Sequence, residues 1–382
     1  MACEVEWIPL GDIVNLSSGG TPDKKQPAYW DGEIPWISAK TLTGDTVTTS
    51  NLFITEEGLH AGSKLAPVGS ILLLTRGSGL FKRIPLAIVN APVAYNQDVK
   101  CMTSKVATIT NEYVFFALKA LSPELTNMLE TTGIGAGKLA TDRLLDMPIP
   151  VLSHDEREKA VSFFSALSRK IMINNRINDY LADFASTVFQ NQASHIEERI
   201  ALFDIADIKY GKGLAKNELV EDGYPVFGGN GQIGFYSKYL YEEPQILISC
   251  RGAASGKVLV SLPKSFITSN SLIIELKDKR YYEYLKQYFM LHQLYDYATG
   301  SAQPQITIDG LRHLTVPYPP FDLIKTLTNQ LKAISDCIYS NDIENQALSR
   351  LRDTLLPKLM SGEIDVSKVD LTQLTNNHLA DC

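Results

Sequence analysis

Two strings of glycine and lysine are the first residues of this sequence whose spacing suggests chemistry, namely the binding of a nucleotide phosphate. RGAASGKV begins at Arg251 and GIGAGKL begins at Gly133. A P-loop needs four residues between its glycines and a Ser or Thr after the lysine, because that hydroxyl binds magnesium. The first string has a shorter spacing and Val258 after its lysine, and the second has Leu139 there. Neither string predicts nucleotide hydrolysis.

Two further strings resemble catalytic motifs only in part. PYPPF at Pro317 to Phe321 is similar to the Asn-Pro-Pro-Tyr/Phe loop of DNA amino-methyltransferases, but Tyr318 stands where an Asn or Asp is needed. Proline is tolerated in the first turn of a helix, so this string predicts a helix entry. The Glu275-Leu276-Lys277 string lacks the upstream Pro-Asp of a nuclease. We therefore expect no catalytic residue and no cofactor.

Composition restricts the class of protein further. The chain has 382 residues, 45% hydrophobic and 21% charged, with a net charge of −7, and no long segment of it is broadly basic. A nucleic-acid surface must therefore be a local patch. The length predicts two globular units. The cysteines and histidines are dispersed without CxxC or HExxH spacing, which favours reduced thiols and predicts no metal site.

The chain is expected to lie in the cytoplasm without contacting a membrane. It contains no stretch of 18 uncharged apolar residues, and its first residues, MACEVEWIPLGD, carry acids where a signal peptide carries lysines.

An internal repeat predicts how the chain is organised. LATDRLLDMPIP (Leu139 to Pro150) is similar to ITIDGLRHLTVP (Ile306 to Pro317), and each precedes a stretch with helical spacing. Upstream, each copy has an apolar strand that ends in Arg-Gly, ILLLTRG from Ile71 and ILISCRG from Ile246, followed by an amphipathic helix. Landmarks in the same order indicate a duplicated unit. Each copy is predicted to be a mixed α/β globule followed by a long helix.

The repeat gives five predicted segments. They are a first globule at 1–150, a first spacer helix at 151–198, a second globule at 199–318, a second spacer helix at 319–362 and a C-terminal tail at 363–382. The residues after Val366 are assigned no role.

Both predicted helices carry an apolar stripe interrupted by asparagines. The stripe of the first also includes Phe164, Phe184 and Val188, and that of the second Leu331, Leu351 and Leu355. Coiled coils use seam asparagines to fix register, so the pattern predicts an antiparallel coiled coil about 50 Å long; the alternative is two helices packed separately on their globules. Such a spacer suits two DNA half-sites separated by a helical turn. The main helix-helix seam residues are Leu167, Ile171, Asn174, Asn178, Leu181, Ile334, Ile338, Asn341, Asn345 and Leu348.

Three strings resemble the specificity (S) subunit of type I restriction-modification enzymes. They are LRDTLLPKLMSGEIDV (Leu351 to Val366), GGTP (Gly19 to Pro22) with YWDGEIPWIS after it, and GYPVFGGNGQIG (Gly223 to Gly234). The resemblance covers nearly the whole chain, to about Val366.

The resemblance implies a function for each part. Each globule would be a target recognition domain for one half of a bipartite, asymmetric site in double-stranded DNA. The helices would set the unread gap and dock two methyltransferase (modification) subunits, and restriction/translocase subunits would join that complex. The S subunit itself has no catalytic activity in this family. Two alternatives stay open: an orphan or exchangeable specificity subunit that serves modification only, and a protein-interaction scaffold.

Arg76 and Arg251 are the leading candidates for contacts to DNA, since each follows an apolar strand and precedes a glycine. Arginine can contact guanine O6 and N7 or hold a phosphate; the alternative is a structural arginine in a salt bridge. Lysines near the predicted turns would contact phosphates, and the alternative for any one of them is a solvated surface charge. Amide side chains suit adenine, although turn chemistry also explains asparagine beside glycine. The other candidates are Lys24, Lys25, Lys40, Lys82, Arg83, Asn96, Gln97, Lys212, Lys216, Asn230, Gln232, Lys238, Lys257, Gln303 and Gln305.

Overall fold

The computed structural model describes residues 5–133, 135–193, 196–300 and 303–365, so the predicted tail beyond residue 365 lies outside the described residues. These residues form two compact units. The first unit lies within Met1–Met172 and Glu344–Cys382, and the second is Ile173–Ile343. Residues of two long helices contribute to each unit. Within the described ranges, none of the helices is both long and apolar enough to cross a bilayer.

The first unit combines short strands with short helices. Its strands are β1 (Glu6–Pro9), β2 (Val14–Ser18), β3 (Trp30–Ile37), β4 (Thr46–Val47), β5 (Phe53–Ile54), β6 (Lys64–Ala66), β7 (Ile71–Leu74), β8 (Arg76–Gly77), β9 (Leu86–Val89), β10 (Val93–Tyr95), β11 (Val99–Ser104), β12 (Glu130–Thr131), β13 (Gly137–Lys138) and β14 (Pro148–Val151). Its helices are α1 (Leu10–Ile13), α2 (Glu56–Gly62), α3 (Asn111–Ala120), α4 (Ser122–Asn127), α5 (Thr141–Asp146) and the start of α6 (His154–Ala193).

The core of the first unit lies between α3 and a mixed sheet of order β2-β11-β7-β9-β4. All four residues of β7 are buried, as expected for an apolar strand covered on both faces. A second sheet has the order β5-β3-β10-β6, and β12-β13-β8 form a small sheet of two-residue strands. Strand β14 pairs with β1, so the proline-rich segment before the long helix is itself a sheet edge.

The second unit repeats this plan with fewer strands. Its sheets have the orders β16-β22-β19-β20, β18-β17-β21 and β15-β23. The elements are β15 (Arg199–Ala201), α7 (Leu202–Ile205), β16 (Ala206–Tyr210), β17 (Tyr224–Gly228), β18 (Gly231–Tyr236), β19 (Ile246–Ser249), β20 (Val258–Val260), β21 (Phe266–Ile267), β22 (Ser271–Leu276), α8 (Tyr282–Leu291), β23 (Thr315–Pro317) and α9 (Phe321–Met360).

Equivalent backbone hydrogen bonds occur in the two units. Thr75 N donates to Asp98 O (2.8 Å) in the first unit, and Cys250 N donates to Asn270 O (3.0 Å) in the second. At the repeated junction, Leu139 N donates to Thr75 O (2.8 Å) and Ile306 N to Cys250 O (3.1 Å). A further pair follows the same pattern, namely Leu10 N to Met147 O and Leu202 N to Leu314 O. The shared hydrogen bonds align the two copies independently of side-chain identity.

The two long helices begin and end at recognisable signals. Helix α6 begins at His154, later than the predicted 151, because Val151 belongs to β14. The Glu156 carboxylate accepts hydrogen bonds from Ser153 N (3.2 Å) and Ser153 Oγ (2.7 Å), as in a capping box. Helix α9 ends at Met360 before Gly362, whose φ of 74° suits a helix C-terminus.

Side-chain contacts show α6 and α9 running antiparallel within the second unit. In the second unit, Asn178 forms a hydrogen bond with Asn341, and Gln192 forms one with Gln330. Residue numbers therefore increase along α6 in the direction in which they decrease along α9. In the first unit, Phe164 and Leu167 share a core with Leu356. The ten main seam residues are all buried or half-buried.

The assignment of Phe184 to the seam is wrong. Phe184 is 57% exposed, whereas Ala185 and Phe189 are buried in the core of the second unit. The sequence spacing changes phase after Leu181, and a continuous helix brings positions 185 and 189 to the side that Leu181 occupies. Burial of Ala185 turns the larger ring of Phe184 outward.

A polar cluster interrupts the helix pair of the second unit. Asn341 Nδ2 donates to Asn178 Oδ1 (2.8 Å), and Asn178 Nδ2 donates to Asp342 Oδ1 (2.9 Å). Burial raises the pKa of the Asp342 carboxyl, and the hydrogen bond from Asn178 opposes that rise. The ionised carboxylate therefore costs folding free energy at neutral pH.

We expect Asp342→Asn to flatten the pH dependence of stability. Because the folded-state pKa of Asp342 is raised, its stabilising contribution is present at low pH and is lost as the pH rises through that pKa, from about 4 upward. Thermal unfolding of the variant should lose less stability than the wild type between pH 4 and 7. The exposed Asp179→Asn serves as control, and an identical pH profile for Asp342→Asn and the wild type would contradict the expectation.

Candidate nucleic-acid interface

Arg76 lies at one end of the main sheet of the first unit. Strand β7 ends at Leu74, and the chain passes into β8, where Arg76 is exposed and pairs with Lys138 of β13. Gln97 lies at the same end, in the turn before β11, and its Oε1 accepts a hydrogen bond from Thr21 Oγ1 (2.6 Å). This sheet end therefore presents cationic and amide groups together.

Lys100 adds a second positive charge to this sheet end. Its ammonium donates to Ser18 Oγ on the neighbouring strand. Burial lowers the pKa of Lys100, Asp98 opposes that change, and the Arg76 guanidinium lowers the pKa further. Two cationic groups at one sheet end favour the binding of an anionic ligand such as a phosphate.

The second unit places Arg251 at the equivalent sheet end. Arg251 is exposed after β19 and pairs with Gln305 in an antiparallel bridge. Nearby, Lys257 Nζ donates to Asn230 Oδ1 (2.8 Å). Lys212 lies near the same end, because its backbone carbonyl accepts a hydrogen bond from Ser269 N (3.0 Å), and the next residue, Asn270, accepts from Cys250 N. Four of the predicted residues are therefore paired at this sheet end. A β-bridge joins Arg251 to Gln305, and a side-chain hydrogen bond joins Lys257 to Asn230.

The remaining candidates differ in exposure. Arg83 holds a loop, since its Nη2 donates to Thr43 O (2.5 Å). Asn96 is 5% exposed, and its Oδ1 accepts from the backbone N–H groups of Asp98 and Val99 (both 3.1 Å), so the geometry favours the turn role over base contact. The other exposed candidates take no part in the side-chain hydrogen bonds described above. They are Lys24, Lys25, Lys40, Lys82, Lys216, Gln232, Lys238 and Gln303.

Arg76 and Arg251 have no carboxylate within salt-bridge distance among the described residues. An arginine that stabilised the fold through an ion pair would show such a partner. Both guanidinium groups are exposed instead, on strands that hydrogen bonds fix in place. Their geometry suits contact with an external anion or base.

Sequence reasoning missed Lys100 and Lys138. Lys100 is the charged residue of the strand VKCMTS, and its position follows only from the pairing of β11 with β2 and β7. In the sequence, Lys138 follows the glycines of GIGAGKL, a string that does not match a phosphate-binding loop. Its role as the cross-strand neighbour of Arg76 depends on a contact between distant segments.

A family model described as "Type I restriction modification DNA specificity domain" matches residues 4–182 and 198–351. The chain belongs to this family. It carries two copies of the specificity domain and is therefore a type I restriction-modification specificity subunit. The resemblance inferred from the three sequence strings is thereby confirmed.

Individual relatives agree with the family assignment. The chain is 31% identical over 193 residues to the type I restriction enzyme EcoR124I/EcoR124II specificity subunit of Escherichia coli, a match that spans 47% of this chain and only 48% of that subunit. It is 24% identical over 409 aligned positions to the MjaIX specificity subunit of Methanocaldococcus jannaschii, covering 94% of this chain and 93% of that one.

A solved structure supports the fold. The crystal structure of the type I restriction-modification S subunit from M. genitalium superimposes with a TM-score of 0.57 at 18% identity, covering 94% of this chain and 96% of that chain. The predicted fold class, two mixed α/β domains with two long helices, is confirmed.

Proposed function

We propose that this chain is the noncatalytic DNA-specificity subunit of a type I restriction-modification complex and that each unit reads one half of a bipartite, asymmetric site. It acts in the cytoplasm on double-stranded DNA. Its long helices dock two methyltransferase subunits, and restriction/translocase subunits join through that complex. The chain needs no cofactor or metal of its own for this role.

One observation carries the proposal, namely that two units share backbone hydrogen bonds but differ in the side chains at the same sheet end. Arg76 and Arg251 are equivalent in this alignment, while Asp98 and Lys100 correspond to Asn270 and Leu272. Side chains on a rigid scaffold specify bases, whereas a shared backbone specifies only where they are held. Different side chains on one scaffold are what the reading of two unlike half-sites requires.

An exposed apolar stripe on α6 supports docking of a methyltransferase subunit. Ile173, Ile177, Tyr180 and Phe184 are between 41% and 58% exposed, and their spacing of four, three and four residues places them on one face. We define them as the outer stripe. Its heptad-like spacing suits an amphipathic helix with an apolar stripe of its own. The occupant we propose is a helical surface of the methyltransferase.

The function is tested by co-expressing the chain with its cognate methyltransferase and sequencing the methylated positions of the host DNA. We expect methylation of one split sequence, with two defined half-sites and an unread gap. A host that expresses the methyltransferase alone is the control and should lack that methylation. Methylation without sequence preference in the presence of both proteins would refute the proposal.

A further inference from the structure

Each unit contains a row of three side chains that crosses three paired segments. These segments are two-residue strands in the first unit and are joined by isolated β-bridges in the second, and we call each set of segments a ribbon. In the first unit, Glu130 of β12 pairs with Lys138 of β13, and Lys138 pairs with Arg76 of β8. Residues directly opposite in antiparallel strands project from the same face, with Cβ atoms about 5 Å apart. Glu130, Lys138 and Arg76 therefore form one row, which we call the first cross-strand row.

The second unit has an equivalent row with different chemistry. Thr299 pairs with Gln305, and Gln305 pairs with Arg251, both antiparallel. The hydrogen bonds of Leu139 N and Ile306 N, each to the residue before the arginine, place Gln305 at the position of Lys138. We call Thr299, Gln305 and Arg251 the second cross-strand row. The two rows share their arginine and differ at the other two positions.

The opposite face of the first ribbon packs on its own unit. Successive residues of a strand point to opposite faces, so Gly77 and Gly137 lie on the back of the ribbon. A Cβ atom on Gly137 would approach Leu80 Cβ to 3.1 Å, and Leu80 is fully buried. A side chain at position 137 would require Leu80 to shift, because the ribbon is close to the core. The row on the other face is directed away from the core.

The second ribbon is anchored in a similar way. Pro304 O accepts hydrogen bonds from Gly252 N (3.1 Å) and from Ser255 Oγ (2.6 Å), and Ser255 is only 3% exposed. Gly252 has a φ of 78°, which a residue with a side chain rarely adopts. Arg251, Gln305 and Thr299 are exposed, in keeping with a row that faces solvent.

We propose that the cross-strand rows contact base edges and that the middle residue, Lys138 or Gln305, determines the base preference of its half-site. This inference rests on the proposed function. The major groove admits a β-ribbon, and its base edges distinguish these side chains. Lysine and arginine contact guanine, glutamate accepts from cytosine N4, glutamine contacts adenine, and threonine contacts the thymine methyl group. The first row thus favours G·C pairs, and the second places an adenine contact beside its arginine.

The test exchanges the two middle residues in the full complex with the cognate methyltransferase. Lys138→Gln, Gln305→Lys and the exposed control Lys64→Gln are each assayed for methylation of duplexes in which every position of the wild-type target is randomised in turn. Lys138→Gln should shift preference at one position of one half-site from G·C toward A·T by about 10-fold, and Gln305→Lys should do the reverse in the other half-site. Lys64→Gln should retain the wild-type preferences.

The outcomes separate this inference from the proposed function. A wild-type complex that methylates without preference refutes the proposed function. A selective wild-type complex whose base preferences are unchanged in both exchange variants overturns the role of the rows alone. If Lys138→Gln assembles but does not methylate, Lys138→Arg decides: restored methylation of the original target supports the role of the cation, and continued inactivity counts against it.

Discussion

Replacing two residues of the outer stripe by aspartate, in the double variant Ile177→Asp and Phe184→Asp, should abolish stable association with the methyltransferase subunit. Both side chains are exposed on α6, so folding of the second unit should be retained. Burying two unpaired carboxylates in an apolar interface is strongly unfavourable, and apolar anchors of an interface often contribute about 2 kcal/mol or more each. We expect the affinity to fall by at least about 100-fold, measured by co-purification and by sedimentation.

The matched control is Val68→Asp, which places the same charge on an apolar residue of the first unit that is 60% exposed and belongs to neither long helix. That variant should assemble normally. If the double variant keeps wild-type affinity while circular dichroism shows an intact fold, the methyltransferase does not dock on the outer stripe. DNA specificity could then still be as proposed, because the cross-strand rows and the outer stripe have no residue in common.

Removing the shared arginines should weaken DNA binding by the assembled complex. Arg76→Ala and Arg251→Ala each delete an exposed guanidinium with no ion-pair partner among the described residues, so little stability is lost. A bidentate contact to guanine contributes about 1 to 3 kcal/mol, on the order of 5- to 150-fold in affinity. Fluorescence anisotropy with the methylated target sequence, at several salt concentrations, measures the change.

The salt dependence distinguishes what each arginine contacts. A phosphate contact predicts uniform weakening across DNA sequences and a slope of log affinity against log salt that is smaller by about one. A base contact predicts lost discrimination at one position with little change in slope. Arg312→Ala removes an exposed arginine that pairs with Asp309 and should bind normally. Unchanged affinity in both Arg76→Ala and Arg251→Ala would exclude these residues from the interface.

Much of the fold follows from the sequence because its signals are local. The apolar runs from Ile71 and Ile246 predict central strands, and the helical spacing after each repeated junction predicts the two long helices. The repeated junction at Leu139 and Ile306 corresponds to a matched pair of backbone hydrogen bonds. These features depend on residues close in sequence or on recurrence of the same pattern.

The remaining features depend on pairing between distant segments. Strands of two residues, such as β8, β12 and β13, have no sequence periodicity, so the neighbour of Arg76 could not be inferred. Phe184 lies outside the seam because Ala185 is packed in the core of the second unit, and the apolar spacing alone does not show this packing. Asn96 carries the chemistry of a base-reading residue, but its burial is a tertiary property.

The cross-strand rows also bear on how such a protein could acquire a new target. A lysine codon becomes a glutamine codon by a single nucleotide exchange, and both residues occur at the middle position on the same backbone. A substitution there would leave the hydrogen bonds and the packed glycine face of the ribbon intact. One chain directs every activity of the proposed complex. A point mutation at Lys138 would therefore change the sequence that is methylated and, with it, the sequence that is protected from cleavage. Inheritance of a new specificity would then need no recombination between genes.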